Sequence, residues 1–152
     1  MGRWMSLFAR AAAIGSAALI PLAAAPGAGA TTTDFTQTQT LANGALICGG
    51  NIRVWATTSP DWPDKAILNM QSGPLIGFGG PYPFAPVCNV PVNVDWRNLD
   101  TGATGRWSVN VVAGMYGSIQ YALYQPTGTG HITATVTTGS LNIPGHGDFT
   151  VP

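Results

Sequence analysis

The chain has 152 residues, six basic and six acidic side chains, two histidines, two cysteines and no net charge. With charged residues at only 8% of the total, it lacks the basic stripe that neutralises nucleic-acid phosphates. It also lacks the polybasic segment that holds a protein to an anionic membrane.

The acids are all Asp, Lys65 is the single lysine, and there is no Glu. The residues that natural helices place on their solvent faces are therefore scarce. Thr, Val, Gly, Pro and Asn stand in their place, and these favour strands and turns.

Residues 1–30 have the three-part layout of a secretory signal peptide. Residues 1–10 carry Arg3 and Arg10 and no acid, residues 11–25 are almost wholly apolar, and Ala28-Gly29-Ala30 is a small-x-small cleavage site. The apolar run is short of the roughly twenty residues that span a bilayer, and Pro21 and Pro26 interrupt it. The expectation is cleavage after Ala30 and export, leaving a mature single domain of residues 31–152 with no transmembrane helix. Its place is then extracellular or at the cell envelope.

Strands follow in order, read from period-two alternation. Residues 35–41 alternate Thr and Gln and predict a polar edge strand. Asn43-Gly44 is a strong hairpin signal. In residues 46–56, Leu46, Cys48, Gly50, Ile52, Val54 and Ala56 share one face, with Asn51, Arg53 and Trp55 opposite. Gly49-Gly50 marks a bulge. Residues 65–71 read either as a strand with Ala66, Leu68 and Met70 inward, or as one or two helical turns.

Residues 88–96 alternate most cleanly, with Cys88, Val90, Val92, Val94 and Trp96 inward. Pro91 lacks an N–H, which predicts an edge strand or a bulge there. Trp107, Val109 and Val111 make a third inner face, and Ile119, Tyr121 and Leu123 a fourth. Ile132, Ala134 and Val136 make a fifth, and Phe149 and Val151 close the chain. Residues 98–102, 126–130 and 144–147 read as turns.

Regular turns between short strands give an all-β chain, an immunoglobulin-like antiparallel β-sandwich of seven to eight strands with one disulfide. Cys48 and Cys88 form that disulfide in an exported protein. Both lie on inward phases, so the bond is expected inside the core. The tyrosine that immunoglobulin domains place two residues before the second cysteine is absent, since Pro86 stands there.

For function, residues 72–87 stand out. They hold four Pro, four Gly, two Phe and Tyr82, without a charge. Read as a long loop, this segment either exposes Leu75, Ile76, Phe78, Tyr82 and Phe84 to a partner, a lipid or a hydrophobic ligand, or folds over the open end of the sandwich. Trp55, Trp62, Tyr82 and Tyr124 fall outward or in loops and offer an aromatic platform for flat ligands.

The candidate ligand or partner surface is therefore Trp55, Trp62, Leu75, Ile76, Phe78, Tyr82 and Phe84. His131, His146 and Asp148 are the only plausible transition-metal set, with nothing to supply a second shell. Asn98, Asp100 and the Gly102 carbonyl do not have the spacing of an EF-hand loop.

No cofactor motif and no Gly-x-Ser-x-Gly elbow is present. A hydrolase would need a Ser such as Ser118 brought to His146 and Asp148. A pore would need residues 106–112 and 118–125 to pair as a lipid-facing hairpin, one per subunit.

Three stretches carry a resemblance: residues 94–105 (from Val94-Asp95-Trp96), residues 128–136 (from Gly128-Thr129-Gly130) and residues 144–152 (from Pro144-Gly145-His146). Together they resemble small secreted actinobacterial β-sandwich proteins, most of them without known function. The resemblance implies the fold and compartment already read, and it transfers no catalytic residue. The expectation is a non-enzymatic binding protein whose partner is a protein, glycan or lipid of the cell envelope.

Overall fold

The computed structural model describes residues 29–43, 46–78 and 87–152. These form ten strands: β1 (Thr31–Asp34), β2 (Thr38–Asn43), β3 (Leu46–Thr58), β4 (Ala66–Phe78), β5 (Cys88–Asn98), β6 (Thr104–Ala113), β7 (Tyr121–Gln125), β8 (Gly130–Thr138), β9 (Leu141–Ile143) and β10 (Gly145–Val151). One sheet runs β7-β4-β3-β2-β9, with β1 also on β3; the other runs β10-β8-β5-β6. All pairings are antiparallel, and the sheets pack face to face as the expected β-sandwich.

The inner faces follow the predicted phases. Cys48, Ile52, Val54 and Ala56 of β3 meet Val90, Val92, Val94 and Trp96 of β5 in one core, with Leu68, Met70, Ile132 and Val136. The disulfide Cys48–Cys88 joins β3 to β5 across the two sheets, with Cα atoms 6.0 Å apart. The hairpin signalled by Asn43-Gly44 is seen in the pairing of β2 with β3, where Asn43 is opposite Leu46. The register of β2 and β3 shifts near the Gly49-Gly50 pair, as a bulge there requires.

Several expectations are corrected. The polar strand predicted over residues 35–41 begins only at Thr38, as β2 beside residues 46–52, and a separate strand β1 precedes it, end to end along β3 beside residues 55–58. β2 is covered by β9 and is no edge. Between β1 and β2 the chain dips into the core. Phe35 donates its N–H to the Val54 carbonyl at 3.0 Å, and Thr36 donates to the His146 carbonyl of the opposite sheet at 2.8 Å. The Phe35 ring stacks on Phe149, centroids 5.9 Å apart. These splits, with the short β9, raise the strand number to ten.

The Gly-rich stretch after Pro144 is likewise strand β10 and not a turn. A Cβ at Gly147 would overlap the Phe35 ring, and one at Gly145 would overlap Thr36 and Thr38. Those glycines are explained by close approach between elements, not by chain reversal.

Pro91 sits in an interior strand without a bulge. Val112 donates its N–H to the Tyr121 hydroxyl, so its backbone faces away from β5. By alternation so does the backbone of Asn110, the partner of Pro91. The proline nitrogen therefore faces β8, and the β8 ladder has already ended at Thr138 opposite Val92. Just past that point Gly139 donates its N–H to the Pro91 carbonyl at 3.1 Å, so the missing proline N–H falls at the very end of the ladder and removes at most its last bond.

The fourth predicted inner face does not form as drawn. Ile119 is exposed and precedes the strand, Leu123 is half exposed at the sheet edge, and only Tyr121 packs against the core.

Candidate functional site

The two ends of the sandwich differ chemically. At one end, called here the turn end, buried Asn98 donates its amide to the carbonyls of Thr127 and Thr129, both at 2.9 Å. Its Oδ1 accepts the N–H groups of Asp100 and Thr101. Trp96 donates its indole N–H to Gln125 nearby. At the other end, the disulfide end, the core is closed by Cys48–Cys88 beside Leu75, Val111 and Ala113.

The charges divide along the same axis. Residues 35–52, 66–94 and 107–147 contain no Asp, Lys or Arg. On the sheets, Asp34, Arg53, Asp95, Arg97, Arg106 and Asp148 all fall in the half toward the turn end, and so do both histidines. Asp61, Asp64, Lys65 and Asp100 lie in loops of that end. Arg106 pairs with Asp95 through two hydrogen bonds, which raise the Arg106 pKa. A hydrogen bond from Arg53 holds the Asp34 carboxyl below its ordinary value.

The uncharged half exposes apolar side chains. The register lines up Leu141, Ala42, Ile47 and Phe78 in one row across β9, β2, β3 and β4 on the outer face. Ile76 adjoins it opposite Gly49, and Leu41 and Ile143 flank it. Ile47 and Ile76 are each 56% exposed. Beside β4, at the level of residues 72–75, the turn after β6 holds Met115 at 67% and Tyr116 at 95% exposure. Gly117, at φ 80°, closes this turn by donating to Gly114, and Leu75 donates to the Gly114 carbonyl at 2.9 Å. Between β4 and this turn runs an open groove of about 680 Å³, walled by Ile76, Phe78, Val87, Met115 and Tyr116.

The residues singled out from sequence therefore divide. The long loop expected over residues 72–87 is strand as far as Phe78. Leu75 is core at 2% exposure, while Ile76 and Phe78 are on the outer face. Tyr82 and Phe84 lie outside the described residues.

Trp55 and Trp62 are not part of the same surface. Trp55 is opposite Asn69, nine residues and about 30 Å along β4 from Phe78, and its ring lies under Arg53. Trp62 packs edge-on against Tyr124, centroids 6.3 Å apart, so two of the expected platform rings do meet.

His131, His146 and Asp148 share the outer face of β8 and β10. The register sets His131 opposite Thr150 and His146 opposite Thr135, so the histidines are about 13 Å apart along the strands. Among the described residues no three metal-ligating side chains gather. Ser118 bonds Ser72 on the other sheet, away from His146 and Asp148. Strands β6 and β7 belong to different sheets, β6 pairing β5 and β7 pairing β4, so the hairpin required for a pore is not formed here.

Met115, Tyr116, Ile47, Leu41, Leu141 and Ile143 were missed from sequence. The available signal was the three long uncharged runs, which become one surface only after folding. No protein-family model matches the chain, and no curated protein or solved structure is similar to it.

Proposed function

We propose that this chain is a non-enzymatic binding protein that works outside the cytoplasm, at the cell envelope or in the medium, and that it binds through its disulfide end. The observation that carries this reading is the co-location of exposed apolar side chains with the complete lack of charge in that half. Soluble monomers rarely keep contiguous apolar surface in water without using it. The compartment rests on the leader-like residues 1–30 and on the disulfide, which persists in oxidising surroundings. Among the described residues no helix is long and apolar enough to cross a membrane.

Substituting Ile47→Asp and Ile76→Asp together tests the assignment. Both side chains point outward, so melting should move by less than about 4 °C, roughly 1 kcal/mol. Binding of an apolar fluorescent dye by the folded protein should fall severalfold. Undiminished dye binding would place the sticky surface elsewhere, and a collapse in melting temperature would mean that these residues are core.

A further inference from the structure

Buried oxygens gather at one seam of the sandwich. Thr38 and Thr40 of β2 and Thr138 at the end of β8 are all buried. Their Oγ1 atoms, with Oδ1 of Asn142 on β9, are shut off from solvent and have no hydrogen-bond partner in the protein. They are four of the six such side-chain atoms among the described residues, so the shortfall is local and not spread through the core.

Asn142 ties three of the four together. It stands opposite Thr40 in the pairing of β9 with β2, and its amide nitrogen donates to the Thr138 carbonyl. That bond fixes the orientation of the amide, because a flipped side chain would set Oδ1 against a carbonyl. The place is where the two sheets are joined. The β8 ladder ends with Thr138 opposite Val92, and the chain crosses through residues 139–140 to β9 on the other sheet.

The chemistry of these oxygens selects what they hold. A buried polar atom without a partner destabilises the fold, so each needs one. An apolar ligand would leave all of them unpaired. A metal cation would want a carboxylate, and residues 35–52, 66–94 and 107–147, which supply β2, β8 beyond Gly130 to its end and β9, contain no Asp. A water molecule closes the count. It donates to Asn142 Oδ1 and to one threonine hydroxyl and accepts from the other, the about three bonds usual for an internal water.

We propose that the seam between β2, β8 and β9 is a binding site for an internal water, held by Thr40, Thr138 and Asn142. The site is independent of the surface at which the protein binds a partner. Its water links β8 of one sheet to β2 and β9 of the other. Thr38 lies two residues along the same strand face from Thr40, about 7 Å, outside the reach of this molecule.

Oxygen-17 relaxation dispersion tests this, since it counts waters that stay inside a protein far longer than those on its surface. Compared with the oxidised parent, Thr40→Val should lose the amplitude of about one internal water. It should also melt about 5 °C lower, because Thr138 and Asn142 are left without their partner. Thr40→Ser keeps the hydroxyl and should keep the amplitude. Thr138→Val gives the same reading from the other side of the site, should Thr40→Val not fold.

A parent with no long-lived internal water would overturn the proposal, and so would an amplitude unchanged by Thr40→Val. A higher melting temperature in Thr40→Val would do the same, because it is the result of removing an unpaired hydroxyl from a dry core. Melting that differs between sodium and potassium salts at equal ionic strength would replace the water by a cation and overturn it too.

Discussion

Gly147 is held at its identity by a neighbour on the other sheet. Phe35 lies where a Cβ would be, and it cannot retreat because it stacks on Phe149. Gly147→Val should destabilise by about 3 kcal/mol, the upper range for overpacking a filled core. Adding Phe35→Leu should recover part of that loss, a coupling that a thermal-melt double-mutant cycle reads directly. Additive losses would mean that the two residues do not press on each other.

Asn98 works by a different rule. It is fully buried and serves two carbonyls and two N–H groups. Asn98→Ala leaves all four without that partner and should cost about 3 kcal/mol. Asn98→Asp should be at least as damaging at neutral pH, because a carboxylate would face the Thr127 and Thr129 carbonyls. Acidification should return part of the loss by restoring one donor. An Asp variant as stable as the parent at neutral pH would show that the donor half of the amide is not needed.

At the scale of the element, alternation was a sound guide wherever one face is core and the other is wet. The phases of β3, β5 and β8 could be read directly, and so could the inward cysteines. Alternation failed where two elements compete for one sequence cue. Gly145 and Gly147 carry a turn composition, yet they sit in β10 because Phe35 needs the space. Residues 72–78 are rich in Gly and Pro, yet they extend β4 because β3 is long enough to pair with them as far as Ile47. Ser72 opposite Ile52 and Leu75 opposite Gly50 bracket the irregularity that accommodates Pro74.

The site was half legible for the same reason. Ile76 and Phe78 could be named from an apolar, uncharged segment. Ile47 and Leu141 could not, because their neighbours in the apolar row come from strands far apart in sequence. Trp55 was assigned to that surface on aromaticity alone, and the strand length carries it toward the charged half.

Across the whole molecule the two ends are closed by different means. Among the described residues, the large aromatics of the core, Phe35, Trp96, Trp107 and Phe149, all lie in the half toward the turn end. Among the described residues, the apolar core of the disulfide end is Val, Leu, Ala and the two half-cystines, with Thr40 and Thr138 buried beside them, while its larger apolar side chains point outward. An end that turns Ile and Tyr to the outside has little left to bury, and the covalent bond makes up the shortfall. The bond closes a loop with a sequence separation of 40, for which the chain-entropy model gives about 4 kcal/mol. Reduction should therefore lower the melting temperature by roughly 15 °C for a domain of this size.

The location of the damage separates this account from a merely global one. In a Cys48→Ala/Cys88→Ala variant, amide exchange should rise first in β3 before Ile52, in β4 after Ser72 and in β5 before Val92. Amides around Asn98, Phe149 and the Trp96–Gln125 pair should keep protection close to that of the parent, since local openings draw on local contacts. Uniform acceleration across both ends would mean that the staple acts only through the unfolded chain. It would also mean that the apolar end is no weaker than the rest of the sandwich.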